Sequence, residues 1–248
     1  MTSLAYMGIM LSAIVTGGIL LRLFQEKLQL AWWEKLGIAI GGFCGAMIGA
    51  KLPFALYNWQ GLVDGTAWFA HGKTIIAGLL GGYFGVELAK WVLEIRTKTG
   101  DSFVIPVAVS IGIGRWACYV GGCCFGKACH LPWGTYFPLA ADGGTILRHP
   151  TQIYESIFHL TCAVVFYFLW KKKMFPGQLF KIYLIAYMTF RFFTEWLRPE
   201  PVYAFGLTAY QWAALAAIPL FAWLIYRDHH LAGATKTEPT LGDGSEKV

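Results

Sequence analysis

Apolar runs of bilayer length recur along this chain from Leu4 to Phe24, Leu36 to Tyr57, Thr74 to Leu93, Phe103 to Val120, Ile153 to Trp170, Leu179 to Leu197 and Gly206 to Tyr226. A hydrocarbon layer about 30 Å thick is crossed by about twenty residues of helix, so these windows predict about seven transmembrane helices. The fold class expected is therefore all-α, a polytopic membrane helical bundle. Composition agrees, since 56% of the 248 residues are hydrophobic and 14% are charged, against about 25% charged in an ordinary soluble domain. Lys51 and Pro53 near the end of the second window, and Glu87 and Lys90 in the third, blur those boundaries. The first window lacks a basic leader and a cleavage site, so it reads as a span and not as a removed signal peptide.

The cations give an orientation. Arg22, Lys27 and Lys35 flank the first connection, Lys90, Arg96 and Lys98 the third, Lys171, Lys172, Lys173 and Lys181 the fifth, and Arg227 the end of the last window. Positive connections stay inside, which predicts an N-terminus outside and a cytoplasmic C-terminus. The net charge of +6 is accounted for by this bias, so nucleic acid is not an expected partner. Residues 1–230 read as one integral-membrane domain, and 231–248, nearly devoid of large apolar residues, as a disordered cytoplasmic tail.

The connections at Asn58 to Lys73, Gly121 to Gln152 and Arg198 to Phe205 then face outward, and the longest of them carries cysteines. Arg115 and Arg191 each lie twelve residues along an outward-running helix, from Phe103 and from Leu179. At about 1.5 Å per residue both guanidiniums sit about 18 Å from the inner face. In the sixth window Tyr187, Arg191, Glu195 and Arg198 are spaced i, i+4, i+8 and i+11. That confines them to a stripe about 80° wide, which must look into the protein. Ionisable groups inside a span are costly and mark function by default, although Arg191 and Glu195 alone could simply neutralise each other. Arginine presents a planar fork of donors suited to phosphate, which points to a lipid headgroup.

Three ordered blocks, IGIGRWACYVGGCCFGK, RHPTQIYES and YMTFRFFTEWLR, resemble the prolipoprotein diacylglyceryl transferases of bacterial inner membranes. The resemblance covers roughly Ile75 to Arg198. It implies a multi-pass inner (plasma) membrane enzyme that moves the diacylglyceryl group of phosphatidylglycerol onto the lipobox cysteine of a prolipoprotein, or onto another thiol, with release of glycerol phosphate. The implied partners are phosphatidylglycerol, a lipobox peptide and membrane lipids, and no cofactor is implied. By the same resemblance Arg115, Arg191 and His149 are candidate catalytic residues, with Arg148, Gln152, Tyr154, Glu155, Tyr187, Glu195 and Arg198 as substrate-binding positions.

Two departures bear on the acceptor. The family pattern after its GR dipeptide is close to N-F-I-N-G-E, where this chain has Cys118, Tyr119, Val120, Gly121, Gly122 and Cys123. A family histidine in a segment like HGGLIGG aligns with Ile76, so its role would pass to His71, His130 or His149.

Cys118, Cys123, Cys124 and Cys129 form a C-x4-C-C-x4-C pattern. Zinc sites usually show short paired spacings such as C-x2-C, so no metal is assigned and disulfides are expected on the oxidising side. Cys123 and Cys124 also stand as candidates for a thiol role, while Cys44 and Cys162 read as small buried apolar residues. GGFCGAMIGA and AGLLGGYFG carry small residues four apart, which suits close helix packing. Trp32, Trp33, Trp59, Trp68 and Trp133 read as an interfacial belt, and Glu87 as a partner for Lys90. Two alternatives to the transferase stand beside it: a thiol redox or metal-handling membrane protein, and a non-catalytic phospholipid-binding or transport protein.

Overall fold

The computed structural model describes residues 2–57, 59–64, 66, 74–140 and 142–234. Its helices are α1 (Thr2–Gln25), α2 (Trp32–Tyr57), the short α3 (Trp59–Val63), α4 (Ile75–Val92), α5 (Asp101–Val120), α6 (Thr151–Lys171), α7 (Leu179–Thr194) and α8 (Ala209–Ala234). Two-residue strands β1 (Thr135–Tyr136) and β2 (Leu147–Arg148) pair antiparallel in the long connection between α5 and α6. Every apolar window is thus a helix, and the chain is an all-α multi-pass membrane bundle.

Six helices are long and apolar enough to cross a membrane among the described residues, not the seven expected by window. The exception is α7, which has 16 residues and hands over to a 3-10 turn at Glu195–Leu197. Pro199 follows Arg198, and a residue before proline is driven out of the helical region. Arg198 accordingly is extended, at φ −106° and ψ 147°.

Helix α2 packs along α4 through glycine. A methyl group at Gly45 would run into the carbonyl of Gly81, one at Gly81 into the carbonyl of Gly45, and one at Gly85 into the carbonyl of Gly41. With no side chain between them the backbones touch, which is the close approach that small residues four apart permit. Helix α5 lies at the centre and meets α1, α6 and α7. Ser156 of α6 donates to the Gly112 carbonyl of α5 at 2.7 Å, and the bare Cα of Gly112 makes room for Leu160. Val104, Tyr183, Leu184, Met188, Ala214 and Phe221 fill the core, while Leu4, Phe43 and Trp91 are exposed on the outside, as a surface against acyl chains requires.

The two ends of the bundle are built differently. At one end Asp101 accepts from the amides of Gly177 and Leu179, and Asp228 pairs with Lys181 at 2.8 Å and Lys98 at 3.4 Å. At the other, the long connection folds back onto the end of α7, with the Lys127 amide donating to Leu197 and the Gly126 amide to His149.

Several expectations need correction or fall outside what is described. Cys44 is exposed and not buried, because its side of α2 faces away from α4, whereas Cys162 is buried. Helix α8 runs to Ala234, into the segment expected to be tail. Glu87 and Lys90 do pair, at 3.1 Å. Trp32, Trp33 and Trp133 are exposed. His71, Trp68, the side chain of Trp59 and the tail from residue 235 lie outside the described residues.

Candidate active site

At the end of the bundle carrying the cysteine connection, one carboxylate gathers three guanidiniums. Glu155, in the second turn of α6, pairs with Arg115 of α5 at 2.5 Å, Arg191 of α7 at 2.9 Å and Arg198 beyond the 3-10 turn at 3.3 Å. Arg191 also pairs with Glu195 at 2.8 Å, and the Thr208 hydroxyl donates to Glu195 at 3.0 Å. All five charged side chains are buried, with Glu155 only 2% and Arg115 6% exposed. Three buried guanidiniums thus crowd two buried carboxylates, and the half-buried Glu200 reaches Arg198 from the rim at 4.0 Å. The Nε atoms of Arg115 and Arg198 lack a hydrogen-bond partner among the described residues. Such an arrangement is made for an anion.

The shared depth inferred for Arg115 and Arg191 is realised, since both reach the same carboxylate. Tyr187, buried at 1% exposure, lies beside them, and the ring of Tyr210 stands 4.9 Å from the Arg191 guanidinium. Gln152 reaches the other way and donates to the carbonyl of Cys123 at 2.5 Å. His149, Arg148 and Tyr154 fall in a separate layer formed by the connection itself. The His149 ring approaches the Tyr154 hydroxyl at 3.3 Å, and that hydroxyl accepts from Trp133 at 2.8 Å. Arg148 pairs with Asp142 at 2.8 Å, which holds the Asp142 carboxyl below its usual range.

A model of the prolipoprotein diacylglyceryl transferase family matches residues 3–227. The chain belongs to this family. A phosphatidylglycerol-prolipoprotein diacylglyceryl transferase of Clostridium tetani is 34% identical over 177 residues, which is 66% of this chain and 68% of the relative. One from Solidesulfovibrio magneticus is 34% identical over 212 residues, covering 80% and 76% of the two chains. Phosphatidylglycerol-prolipoprotein diacylglyceryl transferase 2 of Clostridium perfringens is 29% identical over 202 residues, or 77% of each.

This diacylglyceryl transferase family member differs from the sequence-based expectation in its cysteines. All six are free, so the expected disulfides are not formed. Instead the Sγ atoms of Cys118, Cys123 and Cys124 lie within 4.8 Å of one another. Gly122 and Cys124 both take left-handed backbone conformations, at φ 62° and 61°, and this folds the chain sharply enough to unite thiols that their spacing seemed to separate. For cysteine that conformation is strained, and three polar contacts hold it. Thr151 donates to the Cys124 carbonyl at 2.7 Å, Arg198 to the same carbonyl at 3.0 Å, and Gln152 to that of Cys123. Hydrogen bonds with Cys118 and Cys123, and the nearby Arg115 and Arg198, hold the Cys124 thiol well below the usual range.

Two features escaped the sequence reading. His159 is fully buried one turn along α6 from Glu155, with Nδ1 at 2.7 Å from the Tyr183 hydroxyl; its i+4 spacing from a site carboxylate was the available signal. The other is an apolar cavity of about 470 Å³ between α1, α2, α4 and α5, lined in part by Leu21, Phe43, Met47, Tyr83 and Phe103. It extends to Ile111, one turn before Arg115. Ile76 is 3% exposed within the apolar core.

Proposed function

We propose that this protein transfers the diacylglyceryl group of phosphatidylglycerol to the cysteine thiol of a prolipoprotein lipobox, in keeping with the names its relatives carry. The observation that supports this is the convergence of three buried guanidiniums on Glu155. In the reaction the thiolate sulfur bonds to the terminal glyceryl carbon, the bond from that carbon to the phosphate oxygen breaks, and the electron pair leaves with glycerol phosphate. Negative charge therefore grows on a phosphate oxygen. Arg115, Arg191 and Arg198 are assigned to hold the phosphate, with Glu155 and Glu195 fixing their planes and Tyr187 packed beside them. Donors fixed in advance stabilise the transition state without reorganising when it forms.

The apolar cavity suits an acyl chain and ends at Ile111, one turn of α5 short of Arg115. Gln152 holds the cysteine turn against the site, Arg148 and Tyr154 brace the connection, and His149 is the candidate to take the proton of an arriving thiol. The connection is assigned to the outer face of a bacterial inner membrane, with the N-terminus outside, on the bias of Lys and Arg towards the opposite connections.

The test uses purified protein, phosphatidylglycerol labelled in its glycerol headgroup and a lipobox peptide. Labelled glycerol phosphate should appear only when the peptide carries its cysteine, and Arg191→Ala should slow release by about 10²–10³-fold, the usual effect of losing one preorganised donor. Lipid binding without any release would make the protein a non-catalytic phospholipid binder.

A further inference from the structure

The reaction just proposed needs a thiolate, and three thiols stand beside the arginines, with Arg115 Nη1 at 3.7 Å from Cys118 Sγ. We propose that Cys118, Cys123 and Cys124 bind a Zn(II) ion, and that the acceptor thiol is activated as its fourth ligand. The inference rests on the transferase reading.

Three lines of geometry carry it. First, Zn–S bonds of about 2.3 Å place the sulfurs of a tetrahedral site about 3.8 Å apart, and the three Sγ atoms already lie within 4.8 Å. A contraction of about 1 Å or less completes the set. Second, the turn is built rather than adventitious. Cys124 is held at positive φ by hydrogen bonds from Thr151 and Arg198, and Gln152 fixes the neighbouring carbonyl. Third, Cys123 and Cys124 are exposed, so the cluster is open at the surface, where a peptide thiol can reach it. Three protein ligands with one open position is the pattern of a catalytic zinc centre, whereas structural centres close all four.

The chemistry balances without an added reactant. Coordination displaces the proton of the acceptor thiol to water or His149, the zinc-bound sulfur attacks the glyceryl carbon, and the carbon–oxygen bond breaks towards phosphate. The product is a thioether, a weaker ligand than a thiolate, and water can replace it. A free thiol with pKa near 8.5 is about 3% ionised at pH 7, so full ionisation is worth about thirtyfold in reactive species.

The experiment begins with full-length protein purified in detergent under reducing conditions and its metal content. One zinc per chain is expected, lost in Cys118→Ser, Cys123→Ser and Cys124→Ser and kept in Cys44→Ser, whose thiol is on the lipid-facing side. Should a variant fail to fold, Co(II) exchanged into the unaltered protein gives an independent reading. Its thiolate-to-metal absorption should change on adding the lipobox peptide and stay unchanged with the Cys→Ser peptide. Chelation should slow glycerol phosphate release about thirtyfold at pH 7, and the residual rate should climb with pH towards the thiol pKa while the zinc form stays flat. Absence of bound zinc, binding of Cu(I) in its place, a disulfide among the three cysteines, or release indifferent to chelation each overturns the proposal while leaving the transferase reading standing. A zinc-loaded protein that binds the peptide through Co(II) yet never releases glycerol phosphate overturns the transferase reading and with it the activating role.

Discussion

Replacing Glu155 with Gln keeps the shape of the side chain but removes the charge that Arg115, Arg191 and Arg198 share. Removing one partner of a buried ion pair typically costs about 3–5 kcal/mol, because the remaining charges are left uncompensated. Glu155→Gln should therefore lower the thermal midpoint in detergent as well as turnover, whereas Arg191→Lys should spare stability more and mainly slow release. A Lys cannot bridge Glu155 and Glu195 as the fork of Arg191 does. That Arg115 and Arg191 share a depth was legible in the sequence, because charge within apolar windows has a fixed depth. That Glu155 is their common partner was not, since it sits on another helix and only the tertiary packing brings it to them. That three thiols meet was not legible for a local reason: spacing rules assume ordinary turns, and two left-handed residues, Gly122 and Cys124, make this one far tighter.

At the scale of elements, the windows located the helices to within a few residues because bilayer length and hydrophobicity act on each segment separately. The end of α7 was less legible. A stripe drawn through Arg198 assumes continuous helix, yet Pro199 makes the chain leave the helix, and Arg198 returns to Glu155 by its extended backbone and not by helical phase. The α2 and α4 contact was foreseeable from glycines four apart. Gly45→Leu places a side chain against the Gly81 carbonyl, and overpacking of this kind costs typically about 1–3 kcal/mol. The expected result is a lower unfolding temperature for Gly45→Leu, with Gly8→Leu unchanged, since nothing lies near Gly8.

For the whole molecule, the two ends carry opposite tasks, a seam in which Asp228 pairs with Lys98 and Lys181 and Asp101 holds two backbone amides at one, and the thiols at the other. The assigned orientation predicts that a membrane-impermeant maleimide added to intact spheroplasts labels a cysteine introduced at exposed Leu139, and that a cysteine introduced at exposed Lys172 is labelled only after lysis. Labelling in the reverse order would invert the topology.

The three guanidiniums gathered at Glu155 bear on what happens after bond making. A phosphodiester carries one negative charge, whereas a phosphate monoester carries about −1.5 to −2 at pH 7. The residues that draw in the lipid should therefore grip the spent headgroup more tightly than the intact one. Departure of glycerol phosphate then sets the pace of the cycle, so that a first turnover appears as a burst and added glycerol phosphate competes with the lipid.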